Sequence, residues 1–292
     1  MKLPAACVVV AMALSAVAGC TKKEDTQPPV ATATFSANRA RAPLGSPLDL
    51  TYRFVVASNA PAFDKDYRVL VHFLDSDDQL MWTDDHDPEV PTREWKPGQR
   101  IEYTRTMFVP QYPYMGQATI RVGLYDPETG ARLPLGGESD GQRAYKVGTL
   151  ELLPASDNVF IQFKDGWHNA EVAAENAQVE WQWTKNVATL ALRNPRRDAT
   201  FYLHFDGRPD LAPGQTVTVR IGDQVLDTHA LTSTDEVIRR IPITAAQFGE
   251  AENVDLTIEV NPAFVPAQTP AAKSQDPREL GIRVFHAFIE PK

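Results

Sequence analysis

The sequence has 292 residues, 43% of them hydrophobic and 23% charged, a balance that excludes a chain disordered throughout. Lys and Arg number 29 against 38 Asp and Glu, for a net charge of −9 with no basic block. Phosphate neutralisation needs clustered cations, so nucleic acid is excluded as a partner. The 23 prolines and 16 glycines favour turns over long helices, because proline lacks the N–H that a helix interior uses.

Residues 1–19 have the order of a secretion signal. Lys2 is followed by an uncharged, Ala/Val-rich stretch from Leu3 to Ala18. At about 16 residues it is shorter than the roughly 20 of a spanning helix. It ends in Val17-Ala18-Gly19-Cys20, small residues before a cysteine, which resembles a bacterial lipobox. The resemblance implies cleavage before Cys20, a diacylglyceryl group on its thiol and membrane attachment through that lipid. Thr21, where an inner-membrane lipoprotein of this kind carries Asp, points to the outer membrane. Cys7 leaves with the signal, so the mature chain has no disulfide and no thiolate metal site. Residues 20–29, the lipidated Cys20 and a polar, proline-ended segment, read as a flexible tether.

Residues 30–153 are short alternating segments punctuated by Pro, Gly and Asp. Leu48, Leu50, Tyr52, Phe54 and Val56 recur at period two, with Asp49, Thr51 and Arg53 between them, as in a half-buried strand. Further strands are expected near Thr32–Ser36, over Tyr67–Phe73, at Leu80–Trp82, over Ile101–Val109, at Ile120–Leu124 and over Tyr145–Leu153. About seven short strands with regular turns predict an antiparallel, immunoglobulin-like β-sandwich. Pro154 to Asp157 reads as a joint. Residues 158–292 repeat the style, with strands expected from Trp181 to Ile289 and one helical turn at Thr244–Phe248. About eight or nine strands suit a jelly roll, so the chain is predicted all-β, two sandwiches in tandem.

Gly166-Trp167-His168, Glu171 and Trp181-Gln182-Trp183-Thr184, with Asp276-Pro277-Arg278-Glu279-Leu280-Gly281 ahead of the last strand, resemble galactose-binding-like jelly-roll modules of bacterial envelope and glycosyltransferase-associated proteins. The resemblance covers 158–292. It implies a sandwich, carbohydrate or envelope contacts and no catalytic residues.

Asp75, Asp77 and Asp78 are hard oxygen donors that could hold calcium, but Gln79 onward lacks the glycine and glutamate of an EF-hand loop, and Asp-rich turns arise from Asp bonding its own backbone. The six histidines show no H-E-x-x-H spacing, and neither G-x-S-x-G nor a phosphate loop occurs. His72 and His204 read as sheet histidines. Trp181 and Trp183 face one way along a strand and read as core, whereas Trp95 and Trp167, in turn-rich segments, are expected partly exposed. Tyr112-Pro113-Tyr114 reads as an exposed loop. The sequence therefore predicts a lipid-anchored binding or scaffold protein of the envelope that is not an enzyme and uses no cofactor. Polysaccharide is the expected ligand, at Trp167, His168 and Glu171; the alternative is an accessory lipoprotein that docks an envelope protein partner.

Overall fold

The computed structural model describes residues 27–174 and 179–292. The signal segment and Cys20 lie outside the described residues. Of the tether, Gln27 to Pro29 are described, and they are exposed. Among the described residues no helix is long and apolar enough to cross a membrane.

The chain builds two β-sandwiches in tandem. The strands of the first are β1 (Ala31–Ala37), β2 (Arg41–Pro43), β3 (Pro47–Val56), β4 (Arg68–Leu74), β5 (Leu80–Thr83), β6 (Arg100–Phe108), β7 (Gly116–Tyr125), β8 (Leu135–Gly136) and β9 (Tyr145–Leu153). They form a sheet of order β6-β3-β1-β8 facing one of order β2-β9-β7-β4-β5. Pairing is antiparallel except at β1–β8 and β2–β9. These two short strands, β2 and β8, were not expected: two or three residues bounded by Pro or Gly are too few to carry a periodic signal. Along β3, Leu48, Leu50, Tyr52, Phe54 and Val56 point into the core, as their period-two spacing requires.

Trp95 departs from expectation. It is 3% exposed, with its ring 5.1 Å from Phe54 and its indole N–H donating to the Val90 carbonyl at 2.8 Å. A short 3₁₀ turn at Thr92–Glu94 turns the chain inward there, so a turn residue closes the end of the core. Full burial of a ring this size is worth roughly 2–3 kcal/mol, more than a turn position loses by it. Tyr112 and Tyr114 are likewise half-buried against the first core.

The second sandwich contains β10 (Ile161–Phe163), β11 (Glu171–Val172), β12 (Glu180–Trp183), β13 (Val187–Arg193), β14 (Ala199–Asp206), β15 (Thr216–Ile221), β16 (Gln224–Ala230), β17 (Val237–Ile243), α1 (Ala245–Phe248), β18 (Asn253–Asn261) and β19 (Arg283–Pro291). Its sheets have the orders β10-β13-β18-β15-β16 and β11-β12-β19-β14-β17. The helical turn forms where expected, because Thr244 and Gln247 close a reciprocal capping box. Leu190, Phe201, Phe205, Leu256 and Ile258 fill the space between the sheets.

Strands up to Leu153 pair only with one another, as do strands from Ile161 onward. At the joint, the Asn158 amide donates back to the Leu44 carbonyl at 2.9 Å. The sandwiches also touch along a seam. Arg240 of β17 pairs with Asp49 and Thr106, Arg39 lies 2.8 Å from Glu290, and the Phe108 ring stacks on His286 at 4.3 Å. The seam covers part of the outer face of β17-β14-β19. It is this face, away from the second core, that positions the site described next.

Candidate functional site

Trp167 and His168 are neighbours in sequence, and the extended chain sends them to different sides. The Trp167 ring is half-buried against the second core. It meets Phe163 edge-on at 4.5 Å, and its indole N–H donates to the Thr189 carbonyl at 2.9 Å. His168 turns the other way, with Nε2 donating to the Glu279 carbonyl at 2.7 Å. Glu171 joins it on that side by accepting from Arg278 at 2.7 Å. Arg278 also forks onto Asp276, through Nη2 at 2.7 Å. The Arg278 hydrogen bonds, chiefly, and the nearby His168 hold the Asp276 carboxyl below the usual range. Of the three residues singled out from the sequence, the structure therefore brings two together and parts the third from them.

Glu171 stands opposite Trp181 in the β11–β12 pair, and Trp183 stands opposite Arg283 in the β12–β19 pair. Directly opposed residues share a face, so these side chains form one row on the outside of the sheet. Trp183 is buried there, not in the main core but in a small separate cluster with Phe264, Leu280 and Ala212 under the chain segment 262–280. Trp181 flanks that cluster half-exposed. The Arg283 guanidinium lies 5.0 Å from the Trp181 ring centre and 5.5 Å from that of Phe285, within cation–π range of both. Its fork is fixed by Asp206, through Nε at 2.9 Å.

The row runs on toward the seam. Phe285 lies 5.0 Å from His204, and His204 Nε2 bonds Glu236 at 2.9 Å. That bond, above all, lowers the Glu236 carboxyl below its ordinary value, so it carries charge at neutral pH. Phe108 of the first sandwich closes the far end, stacked parallel to the His204 ring at 5.9 Å. Aromatic rings thus alternate with oriented carboxylate, guanidinium and imidazole groups over the outer face. Such a surface presents flat apolar patches and fixed hydrogen-bonding groups together.

Asp75, Asp77 and Asp78 form a turn between β4 and β5. The Asp75 carboxylate accepts the amides of Asp77 and Gln79, both at 2.9 Å, which is the turn chemistry of aspartate. Among the described residues no three His, Cys, Asp or Glu side chains come together as metal ligands.

Arg283, Phe285, Asp206 and Glu236 were missed in the sequence. Trp181 meets Arg283 across about a hundred residues, a pairing no local pattern encodes. One signal was available: in Ala199–Asp206, apolar and aromatic residues occupy both phases of the alternation, as in a strand covered on both faces.

No family model and no curated protein matches the chain in sequence. Among solved structures, SGBP-B from a complex xyloglucan utilization locus in Bacteroides uniformis is similar at 8% identity and a TM-score of 0.36, over 90% of this chain and 74% of that one. The secreted serine protease VesC from Vibrio cholerae is similar at 10% identity and 0.26, over 89% of this chain and 51% of that one. The M60 catalytic domain with CBM51-1 and CBM51-2 from Clostridium perfringens ZmpB is similar at 7% identity and 0.26, over 85% of this chain and 34% of that one. The chain spans about half and about a third of the last two. Likeness at this level assigns neither a family nor an activity.

Proposed function

We propose that this chain is a lipid-anchored protein of the cell envelope, held in the outer membrane through Cys20, whose second sandwich contacts surface saccharide. The observation that carries the reading is the outer row Trp181–Arg283–Phe285, half-buried rings beside groups that ion pairs hold in fixed orientation. The C–H faces of a sugar ring stack on aromatic faces, and oriented carboxylate and guanidinium groups select its hydroxyls. His168 and Glu171 extend the row at the Arg278 end; Trp167 supports the sandwich from the other side. The reading assigns no catalytic residue and no cofactor.

Electrophoresis of the mature chain through gels containing bacterial polysaccharides tests it. Retardation by at least one glycan is expected, and Trp181→Ala should abolish it while Tm stays within a few degrees of wild type. A glycan-retarded chain that Trp181→Ala leaves retarded rules out the row. Mass spectrometry of the N-terminal peptide tests the anchor, and an unmodified Cys20 overturns it.

One observation favours a second reading, docking of an envelope protein. Beside edge strand β10, Phe160 is 77% exposed and Phe163 and Val187 are also exposed. A chain that no glycan retards, and that loses a specific envelope partner on Phe160→Ser, supports docking.

A further inference from the structure

The first sandwich has a site of its own on the outer face of its five-stranded sheet. A cavity of about 390 Å³ opens there between His72 and Leu74 of β4, Leu80 of β5, Arg121 of β7, and Arg132 and Asp140 of the connections beyond β7. Strand register builds it. His72 stands opposite Arg121, Arg121 opposite Lys146, and Leu74 opposite Leu80. His72, Arg121 and Lys146 thus cross the sheet in one row beside an apolar floor. The far wall is the segment 138–144, folded over the sheet. A Cβ at Gly123 would come 2.8 Å from the Arg143 carbonyl, so glycine is what lets that segment lie so close. Arg132 is tied to this wall by donating to the Gln142 carbonyl at 2.9 Å.

Arg121 lies at the back of the cavity with a side chain 13% exposed. Its Nη2 donates to Asp78 at 3.0 Å, while Nη1 stands 3.9 Å from Asp140, too far for a hydrogen bond. Its Nε is buried without a partner. A buried donor left unpaired is unfavourable, so this fork is incomplete as it stands. Asp78, by contrast, lies on a turn with its side chain 71% exposed. That carboxylate turns into solvent when a better-placed anion takes the fork. Among the lining residues Arg121 and Arg132 stand against Asp78 and Asp140, and Lys146 stands opposite Arg121 on the neighbouring strand.

We propose that this cavity binds a carboxylate-bearing sugar, with the carboxylate on the Arg121 fork and the sugar ring over Leu74 and Leu80. Arginine and carboxylate pair through two parallel hydrogen bonds, a geometry a neutral sugar cannot supply. The volume falls in the range of small-ligand pockets and suits one or two sugar rings. His72 completes the wall. Desolvation, first, lowers its pKa, so the imidazole is neutral at pH 7 and offers a donor and an acceptor to ring hydroxyls. The site is separate from the Trp181 row, and neither depends on the other.

Titration calorimetry of the mature chain with galacturonate and glucuronate, each against its neutral parent sugar, tests the proposal. At least one uronate is expected to bind about tenfold or more tighter than its parent, a gap of about 1.4 kcal/mol. Arg121→Gln should remove that preference, and Trp181→Ala should leave it intact. Should Arg121→Gln fail to fold, Leu80→Glu decides instead: its half-exposed position tolerates the change, and the added negative charge should cost the uronate about tenfold or more. Equal affinity for a uronate and its parent, no binding of either uronate, or full uronate binding by the variants overturns the proposal.

Discussion

The two sandwiches differ in what lies between their sheets. The first carries a hydrogen-bonded polar network inside. The fully buried Tyr52 donates to the Asp84 carboxylate at 2.9 Å. The His86 ring is bonded through Nδ1 to the Asp84 carbonyl at 2.6 Å and through Nε2 to the Tyr103 hydroxyl at 2.8 Å. In the second the polar side chains buried inside, Thr184 and Gln215, carry no charge, and His204, Asp206, Glu236 and Arg283 stand on the outer face. The difference follows from what covers each sheet. The outer face of β14 and β19 is covered in part by the first sandwich, through Phe108 against His204 and His286, so some polar groups there are held out of water. Asp206 is 4% exposed in its side chain although it lies outside the second core.

The sharpest way to test the comparison is to remove what the two sandwiches share. Phe54→Ala in the first core and Phe201→Ala in the second each delete a ring buried between sheets. Each should cost about 3–5 kcal/mol in urea unfolding. A loss below about 1 kcal/mol for either would mean that its core collapses around the gap, against the close packing seen.

A smaller effect separates the two. His86→Leu strands the Tyr103 hydroxyl and the Asp84 carbonyl inside the first sandwich, at a cost of about 1–3 kcal/mol. The pH dependence has a definite sign. Burial, as the largest cause, lowers the His86 pKa below its ordinary 6.5. The unfolded chain therefore takes up the proton first. Stability from this group is full above about 6.5 and falls as pH drops below it toward the folded value. Urea midpoints at pH 7.5 and 5.5 check this: wild type should lose more over that interval than His86→Leu. Equal losses would show that the buried imidazole does not titrate with unfolding.

How far the molecule was legible follows the same division. The strands of both cores were readable because burial on one face writes a period of two, as in Leu48 to Val56. β2, β8, β10 and β11 are too short to write any period. A tryptophan in a turn-rich segment is expected to face water, and Trp95 does not because the 3₁₀ turn at Thr92–Glu94 folds it over Phe54. Trp167 and His168 were grouped by adjacency, although adjacent residues of an extended chain diverge. The outer row needed β12 beside β19, which only the folded sheet provides.

The smallest expected effect on stability is the most informative about the site. Trp167 and Trp181 are both half-buried tryptophans of the second sandwich, and their surroundings assign them different work. Trp167 packs on the main core and its N–H donates to the Thr189 carbonyl, so Trp167→Ala removes apolar burial and one of the two hydrogen bonds that carbonyl accepts, the other coming from the Lys164 amide. That should cost about 2 kcal/mol. Trp181 lies on the outer face, where its Nε1 is buried without a partner. Trp181→Ala gives up a ring contact with Arg283 worth about 0.5–1 kcal/mol, a looser one with Phe285 and partial burial against the Trp183 cluster, and it relieves that unpaired donor. The net loss should stay below about 1 kcal/mol. Thermal unfolding of the two variants beside glycan retardation separates the roles. Trp167→Ala should melt earlier and still bind, whereas Trp181→Ala should melt near wild type and not bind. The reverse pairing would move the saccharide site to the Phe163–Trp167 side and leave the outer row as structural support.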